Sequence, residues 1–234
     1  MSEIITATKN EWLEARRELL KAEKALTHEN DKVAAQRRAL PWVKIDKQYM
    51  FETETGEVSF ADLFGDKSQL IIYHFMMGED WQEGCKSCSF WADTYNGLSG
   101  HLGAQDIAFV AISKATIRKI ELFKNRMGWG FDWVSSAPNN FNADFNVGFG
   151  DHYDMPERMT YNFKQIDNIQ MDEMHGTSVF AKDDKGNVYH TYSTYGRGLD
   201  ATNAAYRYID LTPKGRMEPK EGNPMVWVKH HDKY

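Results

Sequence analysis

The stretch from residue 70 to residue 91, LIIYHFMMGEDWQEGCKSCSFW, constrains the fold more than any other part of the chain. Its first half, Leu70 to Met77, is largely apolar at both odd and even positions, which predicts a strand with both faces covered. Gly78 ends this strand, and a short acidic loop then leads to Cys85 and Cys88 at the start of a predicted helix. Unpaired backbone N–H groups at a helix start favour a thiolate over a thiol, so the pair suits thiol–disulfide exchange.

These two cysteines are the only ones among 234 residues, so no structural disulfide framework competes for them. So few cysteines indicate a reducing compartment. The N-terminus lacks a basic segment followed by an apolar one, and no apolar stretch approaches the roughly 18 residues of a membrane span. We therefore expect a cytoplasmic protein without a membrane segment. A pair of buried structural thiols is the alternative, but Gly84, Lys86 and Ser87 around the pair are not typical core residues.

Three motifs resemble a largely uncharacterised thioredoxin-like family of dithiol–disulfide oxidoreductases: YHFMMG from Tyr73, CKSCSFWAD from Cys85 and HTYSTYGRGLD from His190. The resemblance spans the chain from about Trp12 to its end. It implies an α/β thioredoxin-like fold, with a central mixed sheet flanked by helices. Peroxiredoxins precede their reactive cysteine with proline and threonine, whereas residues 80 to 84 are DWQEG, so peroxidase chemistry of that type is not favoured.

The chain divides by pattern into three parts. Residues 1–40 form a predicted long N-terminal helix, which begins with a capping box at Thr8 and carries a narrow apolar seam through Trp12, Leu19 and Leu26. Residues 41–212 form the thioredoxin-like domain, with an insertion at about 139–176, and residues 213–234 form a tail. The seam needs a partner, and we expect a homodimer.

The sequence assigns chemical roles to three residues. Cys85, nearer the helix start, is the predicted nucleophile, and Cys88 is the predicted resolving thiol. His74 lies where thioredoxins carry a buried aspartate, and an imidazole can take up the proton of the resolving thiol. That role requires His74 to share a sheet face with the redox helix. The alternative is an ordinary core histidine.

Four further residues are candidate substrate contacts. Trp81 and Lys86 adjoin the pair, and Lys86 adds positive charge. Thr177 falls near the position at which thioredoxins have a cis-proline, and the absence of proline there puts the usual backbone docking of a disulfide substrate in doubt. Arg197 belongs to a polar aromatic cluster that is equally compatible with a structural role.

The predicted partners are a thiol or disulfide substrate and an unidentified reductant, with no cofactor besides the redox-active disulfide. A net charge of −6 with dispersed basic residues does not favour nucleic acid. The main alternative is Cu(I) binding or delivery through Cys85, Cys88 and His175, since soft thiolates suit that ion. A non-catalytic interaction module on the same scaffold is the third possibility.

Overall fold

The computed structural model describes residues 5–150, 153, 160–166 and 171–234. Its Cα positions divide into two compact units, Met1–Pro41 and Trp42–Tyr234. Among the described residues, no helix combines the length and the apolarity that spanning a bilayer requires.

The first unit is the helix α1, Lys9–Arg38. Its start has the predicted capping box: the Glu11 N–H donates to the Thr8 hydroxyl over 3.3 Å, and the Thr8 N–H donates to the Glu11 carboxylate over 2.7 Å. None of the residues of α1 is buried, and Trp12 and Leu26 are 58% and 60% exposed. The long N-terminal helix is confirmed, whereas its predicted use in a homodimer stays a prediction.

The second unit is built on one mixed sheet of eight strands, in the order β1-β10-β9-β4-β5-β6-β2-β3. The strand bounds are β1 Val43–Lys44, β2 Met50–Thr53, β3 Gly56–Ser59, β4 Gln69–His74, β5 Ile107–Ser113, β6 Asp132–Ser135, β7 Thr160–Tyr161, β8 Lys164–Gln165, β9 Gly176–Lys182 and β10 Val188–Tyr195, of which β7 and β8 form a separate pair.

The centre of the sheet has the thioredoxin-like arrangement. β4 pairs in parallel with β5 on one side and antiparallel with β9 on the other, and β9 continues into an antiparallel hairpin with β10. The helices are α2 Lys86–Ala92, α3 Leu98–Gly103, α4 Ile117–Arg126, α5 Phe141–Asp144 and α6 Ala204–Ile209, with short 3-10 helices at Ala61–Phe64, Gly196–Thr202 and His231–Lys233. The predicted α/β fold with a mixed sheet and flanking helices is therefore confirmed.

Two sequence expectations at the sheet edges were wrong. The sequence predicts an edge strand at residues 129–135, but β6 has β5 on one side and β2 on the other. It also predicts a short hairpin from residues 42–51 with its turn at Thr55 and Gly56; β2 and β3 form this hairpin, whereas β1 pairs with β10 at the opposite end of the sheet. Both errors concern strands of two to four residues, whose partner is set by tertiary packing and not by their own pattern.

Two cores cover the two faces of β4. Tyr73 and Phe75 lie in the core that contains Cys88 and the inner side of α2. Leu70 and Ile72 lie in the other, together with aromatic residues of the predicted insertion. The strand is thus buried on both sides, as its composition predicts, and successive residues point into different cores.

Candidate redox site

The loop between β4 and α2 returns to the end of the strand just before the cysteines. The Cys85 N–H donates to the Met76 carbonyl over 3.0 Å, so Cys85 is tied to the continuation of β4. Gly84 precedes it in a crowded position, where a Cβ atom would lie 2.6 Å from the Phe123 ring and 2.7 Å from the Phe75 ring. Only glycine fits there without displacing an aromatic ring.

Cys85 is the N-cap residue of α2, and Cys88 lies in its first turn, as expected. Both thiols are free; Cys85 is partly exposed and Cys88 is 1% exposed. A hydrogen bond from the Cys88 thiol lowers the pKa of Cys85 to about 6 despite burial, with help from the N–H groups of Cys88 and Ser87. Burial raises the pKa of Cys88, and so do its hydrogen bond to Cys85 and the charge there. The shifts therefore favour ionisation of the outer sulfur and retention of the proton on the inner one.

Tyr73 is the buried polar group beside the inner thiol, and the sequence analysis missed it. Its side chain is fully buried in the same core as Cys88, and its hydroxyl has no well-formed hydrogen bond with any described residue. Against the effect of burial, this hydroxyl lowers the pKa of Cys88, because it can donate to the thiolate. The alternation of β4 was the available indication, since Tyr73 shares its face with Phe75.

The structure corrects the role predicted for His74. The imidazole stacks on Phe141, 5.6 Å between ring centroids, in the core on the face away from α2. Its Nδ1 donates to the Asn142 Oδ1 over 3.1 Å, and its Nε2 accepts from the Ser178 hydroxyl over 2.9 Å. Burial lowers the pKa of His74 to about 4. The condition for a proton-transfer role, a face shared with the redox helix, is not met.

The predicted substrate contacts are dispersed. Trp81 packs against the core that also covers Cys85, and Lys86 is exposed at the first position of α2. Thr177 lies in β9 directly opposite Tyr73, and the described residues contain no cis peptide bond. Arg197 has an 87% exposed side chain and pairs with Asp200. Lys86 therefore lies next to Cys85 in the chain and Trp81 packs against the same core, whereas no described contact joins Arg197 to the pair.

His175 contacts the redox helix through an aromatic ring and not through the thiols. Its imidazole lies 5.8 Å from the Trp91 ring, and its buried Nε2 has no hydrogen-bond partner among the described residues. Burial lowers the pKa of His175, which keeps the ring neutral. In the part of the chain that the structure describes, no three His, Cys, Asp or Glu side chains converge as metal ligands, and so Cys85, Cys88 and His175 do not form such a set.

One family model matches the whole chain, residues 1–234; it is described as "Bacterial protein of unknown function (DUF899)". The chain belongs to this family. No protein of curated function matches it.

Among solved structures, the chain is similar to peroxidoxin BcpB from Mycobacterium tuberculosis, with 16% identity, a TM-score of 0.45, and coverage of 73% of this chain and 96% of that one. It is also similar to the bacterioferritin comigratory protein of Xanthomonas campestris, with 13% identity, a TM-score of 0.44, and coverage of 68% and 90%. Because both TM-scores lie below 0.5, the fold assignment rests on the strand order and pairing given above.

Proposed function

We propose that this member of the DUF899 family is a dithiol–disulfide oxidoreductase of a reducing, cytoplasmic compartment. The observation that carries the proposal is the asymmetry of the pair: Cys85 is partly exposed with a lowered pKa, and Cys88 is buried with a raised pKa. An exposed thiolate attacks, and a protected thiol waits to resolve. Two structural thiols in a core would not need this separation of charge.

The reaction proceeds in two exchanges. The Cys85 thiolate attacks one sulfur of a substrate disulfide, forms a mixed disulfide, and releases the first substrate sulfur as a thiolate that takes a proton from water. Cys88 then loses its proton and attacks the Cys85 sulfur, which releases the second substrate sulfur as a thiol. The substrate gains two electrons and two protons, and the enzyme is left with a Cys85–Cys88 disulfide. A dithiol reductant must reduce that disulfide before the next cycle.

The mixed disulfide provides the direct test. Reduced Cys88→Ser protein treated with dithionitrobenzoate should retain one thionitrobenzoate on Cys85, because nothing resolves it. Wild-type protein should release two thionitrobenzoate ions per chain and lose two hydrogens by mass spectrometry. Cys85→Ser is the matched control and should react slowly, since its remaining thiol is buried. If Cys85→Ser were the faster trap, the two roles are reversed; if wild-type protein kept two alkylatable thiols after oxidation, the proposal fails.

Cu(I) binding is the second candidate, and it rests on the two thiolates alone. The redox potential of the pair, measured with and without added Cu(I), separates the two functions. An oxidoreductase should have a potential near the cytosolic glutathione poise and should retain no copper after gel filtration. Stoichiometric retained copper and no turnover would favour the copper-binding function.

The homodimer is proposed on the exposed apolar seam of α1. Deleting residues 1–38 should convert a dimer into a folded monomer by light scattering, because apolar side chains such as Trp12 and Leu19 are 58% and 55% exposed and gain from burial. Full-length protein that is already monomeric at micromolar concentration would contradict this proposal.

A further inference from the structure

The last ten residues of the predicted tail lie against the redox site. The segment 225–234, here called the C-terminal strap, places the Trp227 ring 5.4 Å from that of Phe90 in α2. Val228 is fully buried, and His230 is 5% exposed. The strap therefore packs beside the redox helix and does not extend into solvent.

His230 connects the strap to the residue before the nucleophile. Its Nε2 lies 2.9 Å from the Gly84 carbonyl oxygen, and its Nδ1 lies 3.4 Å from the Arg126 guanidinium. A carbonyl only accepts, so Nε2 carries the hydrogen that is donated to Gly84. Nδ1 faces both the Arg126 guanidinium and, at 3.5 Å, the Glu83 carboxylate. The ring also packs edge-on against Phe123, 5.3 Å between centroids. These contacts fix the orientation of the imidazole and place a hydrogen on Nε2.

The peptide unit between Gly84 and Cys85 is consequently held at both ends. Its carbonyl accepts from His230, and its N–H donates to the Met76 carbonyl over 3.0 Å. Because a peptide unit is planar, two hydrogen bonds on opposite edges fix its rotation. The orientation of this plane sets the direction of the Cys85 side chain, and hence its distance from the N–H groups of Ser87 and Cys88.

A network of charges holds the strap in place. Arg126 donates to Glu83 over 2.7 Å and to Asp232 over 2.8 Å, and Lys233 donates to Glu83 over 2.9 Å. Single exposed ion pairs contribute little, but a guanidinium shared by two carboxylates is a connected set with defined geometry. Glu83 is adjacent to Gly84, so the network and His230 act on the same turn of chain.

We propose that His230 is a positioning residue for Cys85, which holds the Gly84–Cys85 peptide so that the Cys85 sulfur stays at the N-terminus of α2. The inference rests on the proposed function for its biological meaning. What it predicts is the pH at which the Cys85 thiol ionises, which can be measured without any substrate. Without the His230 hydrogen bond the peptide is free to rotate, and the thiolate loses part of its stabilisation.

The test is a titration of the reduced full-length chain by thiolate absorbance at 240 nm, with the iodoacetamide rate at Cys85 as a second readout. His230→Leu should raise the midpoint of Cys85 by about one pH unit, which is about a tenfold loss of thiolate at pH values below the midpoint. His230→Gln keeps an N–H donor of similar reach and should restore the wild-type midpoint. His231→Leu is the matched control: this neighbour bonds to Asp93 at the far end of α2 and should leave the midpoint unchanged.

The outcomes are distinguishable from one another. A lower unfolding midpoint in His230→Leu with an unchanged thiol titration would show a merely structural residue and overturn the proposal. An equal shift in His231→Leu would also overturn it. Should His230→Leu fail to fold, Arg126→Met removes the guanidinium that contacts the imidazole and holds the strap, and it should shift the titration in the same direction; no shift there contradicts the proposal. A shifted thiol in a protein that exchanges no disulfides would refute the proposed function and leave the positioning role intact.

Discussion

Tyr73 and His74 are neighbours in one strand and both are fully buried, but only the His74 side chain is fully hydrogen-bonded. Both ring nitrogens of His74 have partners, Asn142 and Ser178. The hydroxyl of Tyr73 has no well-formed hydrogen bond with any described residue. A buried polar group normally costs free energy unless it is bonded, so an unbonded one requires an explanation. Both polar atoms of the His74 ring are therefore satisfied, whereas the Tyr73 hydroxyl remains available to donate to the Cys88 sulfur.

The His74 face carries a continuous hydrogen-bonded chain. The His190 Nε2 lies 3.0 Å from the Tyr192 carbonyl, so it carries hydrogen and donates to the Ser193 hydroxyl. Donors and acceptors then alternate through six side chains: His190, Ser193, Ser178, His74, Asn142 and Glu173. The last of them, the buried carboxyl group of Glu173, also accepts a hydrogen bond from the Tyr153 hydroxyl. Every member is satisfied, which is the condition under which a buried polar network stabilises a unique core.

The largest expected effect comes from breaking this chain at its centre. His74→Leu leaves the Asn142 carbonyl and the Ser178 hydroxyl without their buried partner, and each unsatisfied group costs about 1–3 kcal/mol. We expect a loss of roughly 3 kcal/mol in the free energy of unfolding, measured by urea titration. The ionisation of Cys85 should not change, because the imidazole lies on the other face of the sheet.

A disulfide-exchange defect in His74→Leu with no loss of stability would contradict this division of the two faces. That outcome would instead support the proton-transfer role that the sequence offered for His74 beside the alternative of a core histidine. The rate at which Cys88 resolves the mixed disulfide on Cys85 in the same variant decides between the two assignments.

The second prediction concerns Glu173, the buried carboxyl group at the end of this series of hydrogen bonds. Burial raises the pKa of Glu173 from 4.5 to about 8, although hydrogen bonds from Tyr153 and Asn142 act against this. Because the folded pKa lies above the unfolded one, the folded protein binds more protons between these two pH values. The contribution of Glu173 to stability is therefore complete below pH 4.5 and is lost as the pH rises towards 8.

Glu173→Gln keeps a group that can meet both partners and cannot ionise. As the pH rises from 5 to 7, wild type should lose about 2 kcal/mol of unfolding free energy that the variant retains. Other titrating groups are common to both proteins, so the difference between the two curves isolates this carboxyl. A difference that stays constant over that range would mean that Glu173 is already ionised in the folded protein.

The sequence predicted the centre of the fold well because that part is encoded locally. Leu70 to Met77 is apolar on both faces, and two cysteines follow at a helix start, so strand, loop and helix can be read in order. Residues 177–192 likewise predict an antiparallel hairpin with its turn at 183–186, and β9 and β10 form it. What pattern does not encode is the partner of a short strand, which explains why β1 and β6 were misplaced at the sheet edges.

The site was predictable only as far as its own segment extends. Cys85 and Cys88 could be found by spacing, but His230 lies 146 positions from the Gly84 carbonyl that it contacts. No local pattern distinguishes it from His231, whose side chain is 43% exposed and binds elsewhere. The choice between Tyr73 and His74 depended on which sheet face carries α2, and alternation gives two faces without saying which is which.

The smallest expected effect tests the other face. Tyr73→Phe removes a hydroxyl that has no regular partner, so the free energy of unfolding should change by less than about 1 kcal/mol. A hydrogen bond to a charged group contributes about 1.5–3 kcal/mol, and a bond formed only with the Cys88 thiolate should therefore matter in the resolving step alone. We expect the mixed disulfide on Cys85 to be resolved about tenfold more slowly in rapid-quench measurements.

Tyr95→Phe is the control, since its ring lies 5.2 Å from that of Tyr73 but it is not among the groups that lower the pKa of Cys88. Because loss of this bond raises the pKa of Cys88, the Tyr73→Phe variant should resolve more slowly than wild type through neutral pH. The two rates should converge only at pH values where Cys88 ionises in both proteins. Equal rates in the two variants would remove Tyr73 from the chemistry and leave its unbonded hydroxyl without a role in the resolving step.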